Sequence, residues 1–227
     1  MIDAALEPEV YLKITADRGW KITGVLETHI HADHLSRSKR LAELSEAPLY
    51  LPEQNRVSFS FTPVRDGDVL KVGAAKLKAI HTPGHTMEST SYLLDGLALF
   101  TGDTLFIGAV GRPDLGADSE NAQIRAKTLH NSLQRILALA PETLILPGHT
   151  SEPVAFDGEM IGSTLAEVRK SAEALRLAED AFVEKITAHL PPTPPNYHQV
   201  VELNEVGRLA EGDPTDLEAG ANRCAAG

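Results

Sequence analysis

Thr28-His29-Ile30-His31-Ala32-Asp33-His34 packs three imidazoles and one carboxylate into six consecutive residues, His29 to His34. Immediately before it, Gly24-Val25-Leu26-Glu27-Thr28 is dominated by apolar and β-branched types. That pattern reads as a short buried strand ending at His29. A strand that stops at such a cluster carries its donors on a loop held by a rigid sheet, which is how metal sites are usually mounted. A run of surface histidines at a turn is the competing reading. Three His and an Asp directly after an apolar strand weigh against it.

Three further stretches repeat the design. Lys76 to Ile80 leads into His81-Thr82-Pro83-Gly84-His85, Leu97 to Thr101 into Gly102-Asp103, and Leu144 to Leu146 into Pro147-Gly148-His149. Each is an apolar strand, a glycine that lets backbone pass close, and a side chain able to ligate a metal. Alone, a Pro-Gly-His is usually a turn and a Gly-Asp a loop cap. Four strand ends converging on one edge would gather His29, His31, Asp33, His34, His85, Asp103 and His149. They form two sets, three His and an Asp with two His, with Asp103 placed to bridge. Such donors can hold two metals about 3.5–4 Å apart, or one ion. His81 is a candidate for an outer position, whereas His130 and His189 read as solvated helix positions. Thr86 and Ser89, which follow His85, read as turn-holding hydroxyls.

The chain has 227 residues, 42% of them hydrophobic and only 5% aromatic, with a formal net charge of −11. That length suits one large α/β domain, or one domain with a helical extension. The acidity argues against nucleic acid and against an anionic membrane surface, although a local metal or Arg can still attract an anionic substrate. No apolar run is long enough to span a membrane, and Met1-Ile2-Asp3 does not open like a signal peptide. A cytoplasmic protein is the expectation. Cys224 is the single cysteine, so a metal site should rest on His and carboxylate.

Between these landmarks the pattern alternates. Glu9 to Arg18 reads as a helix between Pro8 and Gly19. Ser36 to Ala47 reads as a second, with Leu41 and Leu44 inward. Leu49 to Leu51 is a short strand stopped by Pro52. Residues 69–100 switch to a two-residue period with tight turns at Asp66-Gly67-Asp68 and Asp95-Gly96. Ser119 to Ala140 is a long amphipathic helix with Ser119 as its cap and a stripe of Ile124, Leu129, Leu133, Ile136 and Leu137. Met160 to His189 is helical with a break near Glu179, and Pro191 to Pro195 is stiff and extended. Residues 1–206 form the domain. Residues 207–227, Gly-, Ala- and acid-rich and including Cys224, read as a flexible tail.

Taken together, the Thr-His-x-His-x-Asp-His motif and the three later strand ends resemble the metallo-β-lactamase superfamily over roughly residues 20–206. The resemblance implies an αββα sandwich with the metal site at one edge of the two sheets. Members usually open with a β-hairpin before the Ile2-Asp3 position, and this chain starts at that point. A missing hairpin would leave apolar sheet surface for a second copy to cover, so a homo-oligomer is part of the expectation.

Two branches of the superfamily compete. Glyoxalase II-like hydrolases and persulfide dioxygenases share the Gly102-Asp103-Thr104-Leu105-Phe106 type of sequence. The continuation Gly111-Arg112-Pro113-Asp114-Leu115, with Pro194-Pro195-Asn196-Tyr197 and Leu203-Asn204, resembles the dioxygenases. That branch implies one Fe(II) per chain on His29, His85 and Asp103, a two-His-one-carboxylate face with open positions for O2 and a glutathione-type persulfide. His31, Asp33, His34 and His149 would then support those ligands, or else complete a two-zinc centre in the hydrolase reading. Arg112 would pair with a substrate carboxylate or, equally, form a salt bridge to Asp114. Tyr197 would reach the pocket, or simply pack the last segment on the core.

Overall fold

The computed structural model describes residues 1–150, 153–155, 157–188, 190, 192–218 and 223–226. His189 and Pro191 therefore lie outside the described residues, as do 219–222 within the expected tail. The chain divides into two compact units, Met1–Val64 with Pro194–Gly220, and Arg65–Thr193 with Ala221–Gly227.

The first unit opens with α1 (Pro8–Asp17), where Pro8 occupies the first turn and Gly19, at φ +64°, turns the chain after the helix. β1 (Val25–Leu26), α2 (Ser38–Ser45), β2 (Leu49–Pro52) and β3 (Thr62–Val64) follow. The strands form a parallel sheet in the order β1-β2-β3, and Ile2 bridges Leu26 on the outer side of β1. The paired strand thus ends at Leu26, short of the expected Thr28. Glu27 still donates its N–H to the Tyr50 carbonyl at 3.0 Å. Pro52 does not stop β2 but pairs with Val64, a register in which its missing N–H is not called on. Leu41 is buried among Val25, Ala42, Leu49 and Leu51, while Leu44 lies on the exposed face of α2, contrary to the expected inward stripe.

The second unit holds β4 (Val69–Val72), β5 (Ala75–His81), β6 (Thr90–Leu94), β7 (Ala98–Gly102), β8 (Val110–Gly111), α3 (Ser119–Leu137), β9 (Leu144–Pro147), β10 (Ser163–Thr164), α4 (Leu165–Ser171) and α5 (Glu179–Ala188). Its main sheet runs β10-β9-β7-β6-β5-β4, with β7 and β9 parallel and the other neighbours antiparallel. Along β5, Leu77 and Ala79 are buried and Lys76 and Lys78 exposed, the period of two that the sequence displays. Asp95 and Gly96, both at positive φ, close the β6–β7 hairpin.

Leu129, Leu133 and Ile136 of α3 pack with Leu99, Ile145 and Phe182 in the main core. Ile124, by contrast, faces solvent, and the small Ala122, Ala126 and Ser132 complete the buried stripe. The cap of α3 is Asp118, whose carboxylate accepts from the Asn121 N–H at 2.9 Å, so Ser119 is already helical. The expected long helix from Met160 is instead β10, α4, a 3₁₀ turn (Glu173–Arg176) and α5. Thr164 and Glu167 form a capping box that starts α4 at Leu165. His130 is half-buried, its ring 5.2 Å from that of Phe182, rather than solvated.

The last elements return to the two units separately. α6 (Tyr197–Val206) belongs to the first, and β11 (Ala225–Ala226) to the second, where it pairs antiparallel with β8. Where the sequence predicts a loose tail after residue 206, Glu218, Cys224 and the β11 pair are tied to the units they belong to. Glu218 accepts hydrogen bonds from Arg37 and from the Leu35 N–H, and Cys224 is 1% exposed. The pairing partners lie more than a hundred residues upstream, out of reach of a composition argument.

Candidate metal centre

In the first unit the His/Asp loop follows β1 directly. The ring centroids of His29 and His31 are 4.2 Å apart, as are those of His31 and His34. His31, Asp33 and His34 offer donor atoms all within 4.8 Å of one another. The orientation of His29 can be read from its neighbours. Thr28 donates its hydroxyl hydrogen to Asp3 Oδ2 at 2.8 Å, so the same oxygen accepts from His29 Nδ1 at 2.9 Å. The proton of His29 then sits on Nδ1, and Nε2 presents a lone pair. Asp3 itself is fixed by the Thr28 N–H at 2.7 Å. Thr28 stands in the motif, but Asp3, which acts on His29 through it, does not and was not revealed by the motif.

His31 is engaged differently. Its Nε2 lies 3.0 Å from Glu27 Oε2 and 3.5 Å from Asp3 Oδ1. Burial opposes a charge on this imidazole, but the two carboxylates outweigh it and raise its pKa well above the ordinary histidine value. For Asp3, burial pushes toward the neutral acid, yet the hydrogen bond and charge of His31 hold its carboxyl well below the usual range. The two contributions have opposite pH limits. Stabilisation by His31 is complete below about pH 6.5 and is lost as pH rises through its raised folded-state pKa. That of Asp3 is complete above about pH 4 and is lost on acidification. The metal-free protein should therefore show its highest urea midpoint in weak acid, with a decline on both sides, and Asp3→Asn should flatten the acid limb. A midpoint rising steadily from pH 5 to 9 would contradict this assignment.

A third support comes from α6. Asn204 Nδ2 donates to the His31 and His34 carbonyls, each at 2.9 Å, and its Oδ1 accepts from the Ser36 N–H at 2.8 Å. One amide side chain thus pins both ends of the ligand-bearing loop. Asn204→Ala should cost about 2–4 kcal/mol, three hydrogen bonds including the groups they leave unsatisfied. It should also weaken metal binding roughly 10–100-fold, the usual effect of removing an outer support. Denaturant titration and competition with a chromophoric chelator measure the two effects separately.

In the second unit, His85 and Asp103 stand at the ends of segments that glycines bring together. His85 Nδ1 lies 2.9 Å from the Arg112 carbonyl. A carbonyl only accepts, so Nδ1 carries the proton and Nε2 is again the lone-pair nitrogen. That Nε2 is 3.7 Å from Asp103 Oδ2, and His149 Nε2 is 3.4 Å from the same oxygen. These separations exceed a good hydrogen bond but suit donors arranged around a common ion. Asp103 follows Gly102 at φ +49°, where β7 departs from regular register with β9. A Cβ on Gly148 would sit 2.7 Å from Asp103 Oδ1, so only glycine lets the end of β9 pass there. His85 and Asp103 are almost fully buried and His149 partly so.

Arg112 is 1% exposed and meets Asp114 through two 2.7 Å hydrogen bonds, from Nε to Oδ1 and from Nη2 to Oδ2. Its Nη1 donates to the carbonyls of Pro192 and Arg223. Of the two roles the sequence left open, the ion pair to Asp114 is therefore the one seen here. Tyr197 opens α6 half-buried, its ring 3.9 Å from that of His198. His81 Nε2 is bonded to the Met87 carbonyl at 2.9 Å, and Thr86 and Ser89 hold their turn through a 2.8 Å hydroxyl contact.

Comparison with known proteins gives consistent results. The family pattern described as the metallo-beta-lactamase superfamily matches residues 1–149. A hydroxyacylglutathione hydrolase of Maricaulis maris is 35% identical over 147 residues, which are 63% of this chain and 54% of that protein. The chain thus spans a little over half the length of that curated relative. A metallo-beta-lactamase structure from Staphylococcus aureus superposes with TM-score 0.79 at 31% identity, covering 91% of this chain and 64% of the other. The structure of ETHE1 from Myxococcus xanthus gives TM-score 0.63 at 29% identity, over 98% of this chain and 86% of that one.

Proposed function

The chain belongs to the metallo-β-lactamase superfamily, and we propose that within it the protein is an Fe(II)-dependent dioxygenase acting on a low-molecular-weight persulfide of the glutathione type. In the proposed reaction one persulfide, one O2 and one water give the thiol and sulfite with two protons, so both atoms of O2 enter the sulfur product. The iron ligands in this reading are His29, His85 and Asp103. The observation that carries it is the chemistry of these donors. Two imidazoles whose Nδ1 protons are committed, to Thr28 and to the Arg112 carbonyl, each offer Nε2. With one carboxylate they make the two-His-one-carboxylate donor type, which suits Fe(II) and supplies open positions for O2 and a sulfur anion.

The chain's own residues do the rest. Thr28 and the Arg112 carbonyl fix the ligand tautomers, Asn204 fixes the loop, and the buried setting of His85 and Asp103 keeps bulk water away. The likeness to ETHE1, which extends over 98% of this chain at 29% identity, favours this branch. Names among the curated relatives favour a second reading, a dinuclear thioester hydrolase in which His31, Asp33, His34 and His149 complete a two-metal set. Elemental analysis of protein purified without added metal, combined with O2 uptake on glutathione persulfide, separates the two. Iron near one per chain with O2 consumption supports the dioxygenase. Two zincs per chain, no O2 uptake and turnover of S-lactoylglutathione would overturn it.

A further inference from the structure

We propose that a buried chain of three hydroxyls, Ser91, Thr82 and Thr104, sets the separation of His85 and Asp103 and so positions these metal donors of the second unit. Thr82 follows the end of β5 and precedes His85 by three residues. Thr104 directly follows Asp103 beyond the end of β7, and Ser91 lies in β6. Thr82 and Ser91 are 0% exposed and Thr104 is 1% exposed. Thr82 Oγ1 lies 3.0 Å from Ser91 Oγ and 3.1 Å from Thr104 Oγ1, and Thr104 Oγ1 lies 3.3 Å from the Thr82 carbonyl oxygen. The chain thus joins the segment that carries His85 to the segment that carries Asp103, through a strand that carries neither.

One arrangement of hydrogens satisfies all three contacts. A carbonyl only accepts, so the Thr104 hydroxyl donates to it. The Thr82 hydroxyl then donates to Thr104, and the Ser91 hydroxyl to Thr82. Thr82 and Thr104 each take part in two of the contacts and Ser91 in one. Each donor-bearing turn is also stiffened from within. The Thr101 hydroxyl donates to the Leu105 carbonyl at 2.7 Å and the Thr104 N–H to the Thr101 carbonyl at 3.1 Å, which closes a tight turn around Asp103. On the other side the Thr82 N–H donates to the Ser89 carbonyl at 2.8 Å, and the Ser132 hydroxyl of α3 to the Pro83 carbonyl at 2.7 Å. Gly84, at φ +141°, presses on α3, where a Cβ would meet the Leu129 nitrogen at 2.7 Å. Pro83 and Gly84 therefore leave little freedom between Thr82 and His85. With both turns stiff, the Thr82–Thr104 contact fixes one against the other.

The consequence is geometric. His85 Nε2 and Asp103 Oδ2 are 3.7 Å apart, and donors around one ion tolerate errors of only about 0.2 Å in bond length. Removing one hydroxyl leaves its neighbour buried without that bond, and the two turns are then free to relax separately. The inference rests on His85 and Asp103 as metal donors, which both readings of the reaction share, and not on which reaction follows.

The test measures the affinity for the tightest-bound Zn(II) by competition with a chromophoric chelator, alongside the urea midpoint of the metal-free protein. Thr82→Val and Thr104→Val, which keep the side-chain shape, should each bind zinc at least about tenfold more weakly, and Ser91→Ala should be affected less. Thr82→Ser, which restores the hydroxyl, should recover the wild-type affinity. The Thr82→Val/Thr104→Val double variant should weaken binding by clearly less than the product of the two single effects, since both singles break the same contact. A folded Thr82→Val protein with a lowered urea midpoint and unchanged zinc affinity, or effects that multiply in the double variant, would overturn the proposal. Ser91→Ala, the mildest change, decides the question where Thr82→Val does not fold: weaker zinc binding upholds the proposal and unchanged binding overturns it. Asp103→Ala, measured in parallel, separates the two levels of the argument. If it binds zinc as the wild type does, the ligand set fails; if it loses zinc while the hydroxyl variants keep it, only the positioning role fails.

Discussion

Asp103→Ala should leave a folded protein that no longer retains metal and whose turnover falls by far more than the roughly 10–100-fold typical of an outer support. Asp103 is the one carboxylate in the proposed iron set, and its Oδ2 faces both His85 and His149. Without it, His85 and His149 lose the carboxylate that both of them face. The fold should persist. The metal-free protein buries this carboxylate at a cost that a methyl group does not incur, and the glycines at 102, 111 and 148 that accommodate the segment are unchanged. Metal content by elemental analysis and circular dichroism, taken together, decide the matter. A variant that keeps one metal per chain and loses less than about tenfold in rate would remove Asp103 from the ligand set. Asp103→Asn sharpens the test, since it keeps the shape and removes only the charge.

Gly111→Ala is expected to damage the protein more than its size suggests. The added Cβ would lie 1.9 Å from the Asp103 carbonyl oxygen and 3.0 Å from His85 Cβ. Neither neighbour is the flexible end of a long side chain, so backbone must move. Overpacking of this kind costs about 1–3 kcal/mol or more where the backbone resists, and here three connections are strained at once. β8 pairs with β11, the Gly111 N–H reaches the Thr104 carbonyl at 3.3 Å, and the next residue's carbonyl holds His85. We expect a lowered urea midpoint and weaker metal binding in the same variant. Gly108→Ala, where an added Cβ meets nothing within 4 Å, is the control and should change neither. Equal behaviour of the two variants would show that the close approach at Gly111 is not needed.

How much of this was legible depended on the range of the interaction. The hairpin strands and the first helix follow from local periodicity and turn residues, and were read nearly to their ends. Leu44 and Ile124 face solvent, because a helical spacing says which residues share a face and not which face meets the core; the segment from Met160 is helical only from Leu165, with the expected break before Glu179, because Ser163 and Thr164 pair with β9. The caps moved by one residue, from Ser119 to Asp118, because both types cap and only geometry chooses. The short pairings of β3 with β2, parallel, and of β11 with β8, antiparallel, carry no periodicity of their own. They exist because distant partners present free backbone groups to them.

The donor residues themselves were written in the sequence. His29, His31, Asp33 and His34 follow β1 in one loop, and His85, Asp103 and His149 each follow a strand and a glycine, so the chain alone marks them as candidate donors. The protonation and aim of those donors came only with tertiary structure. Asp3 acts on His29 through Thr28 across 25 residues, the Arg112 carbonyl acts on His85 across 27, and Asn204 grips the His31 loop across 173. Cys224 likewise gained its place from Arg112, whose guanidinium reaches Arg223 across 111 residues. Which nitrogen of an imidazole keeps its proton depends on the group opposite it, and that group is chosen by packing, not by sequence proximity.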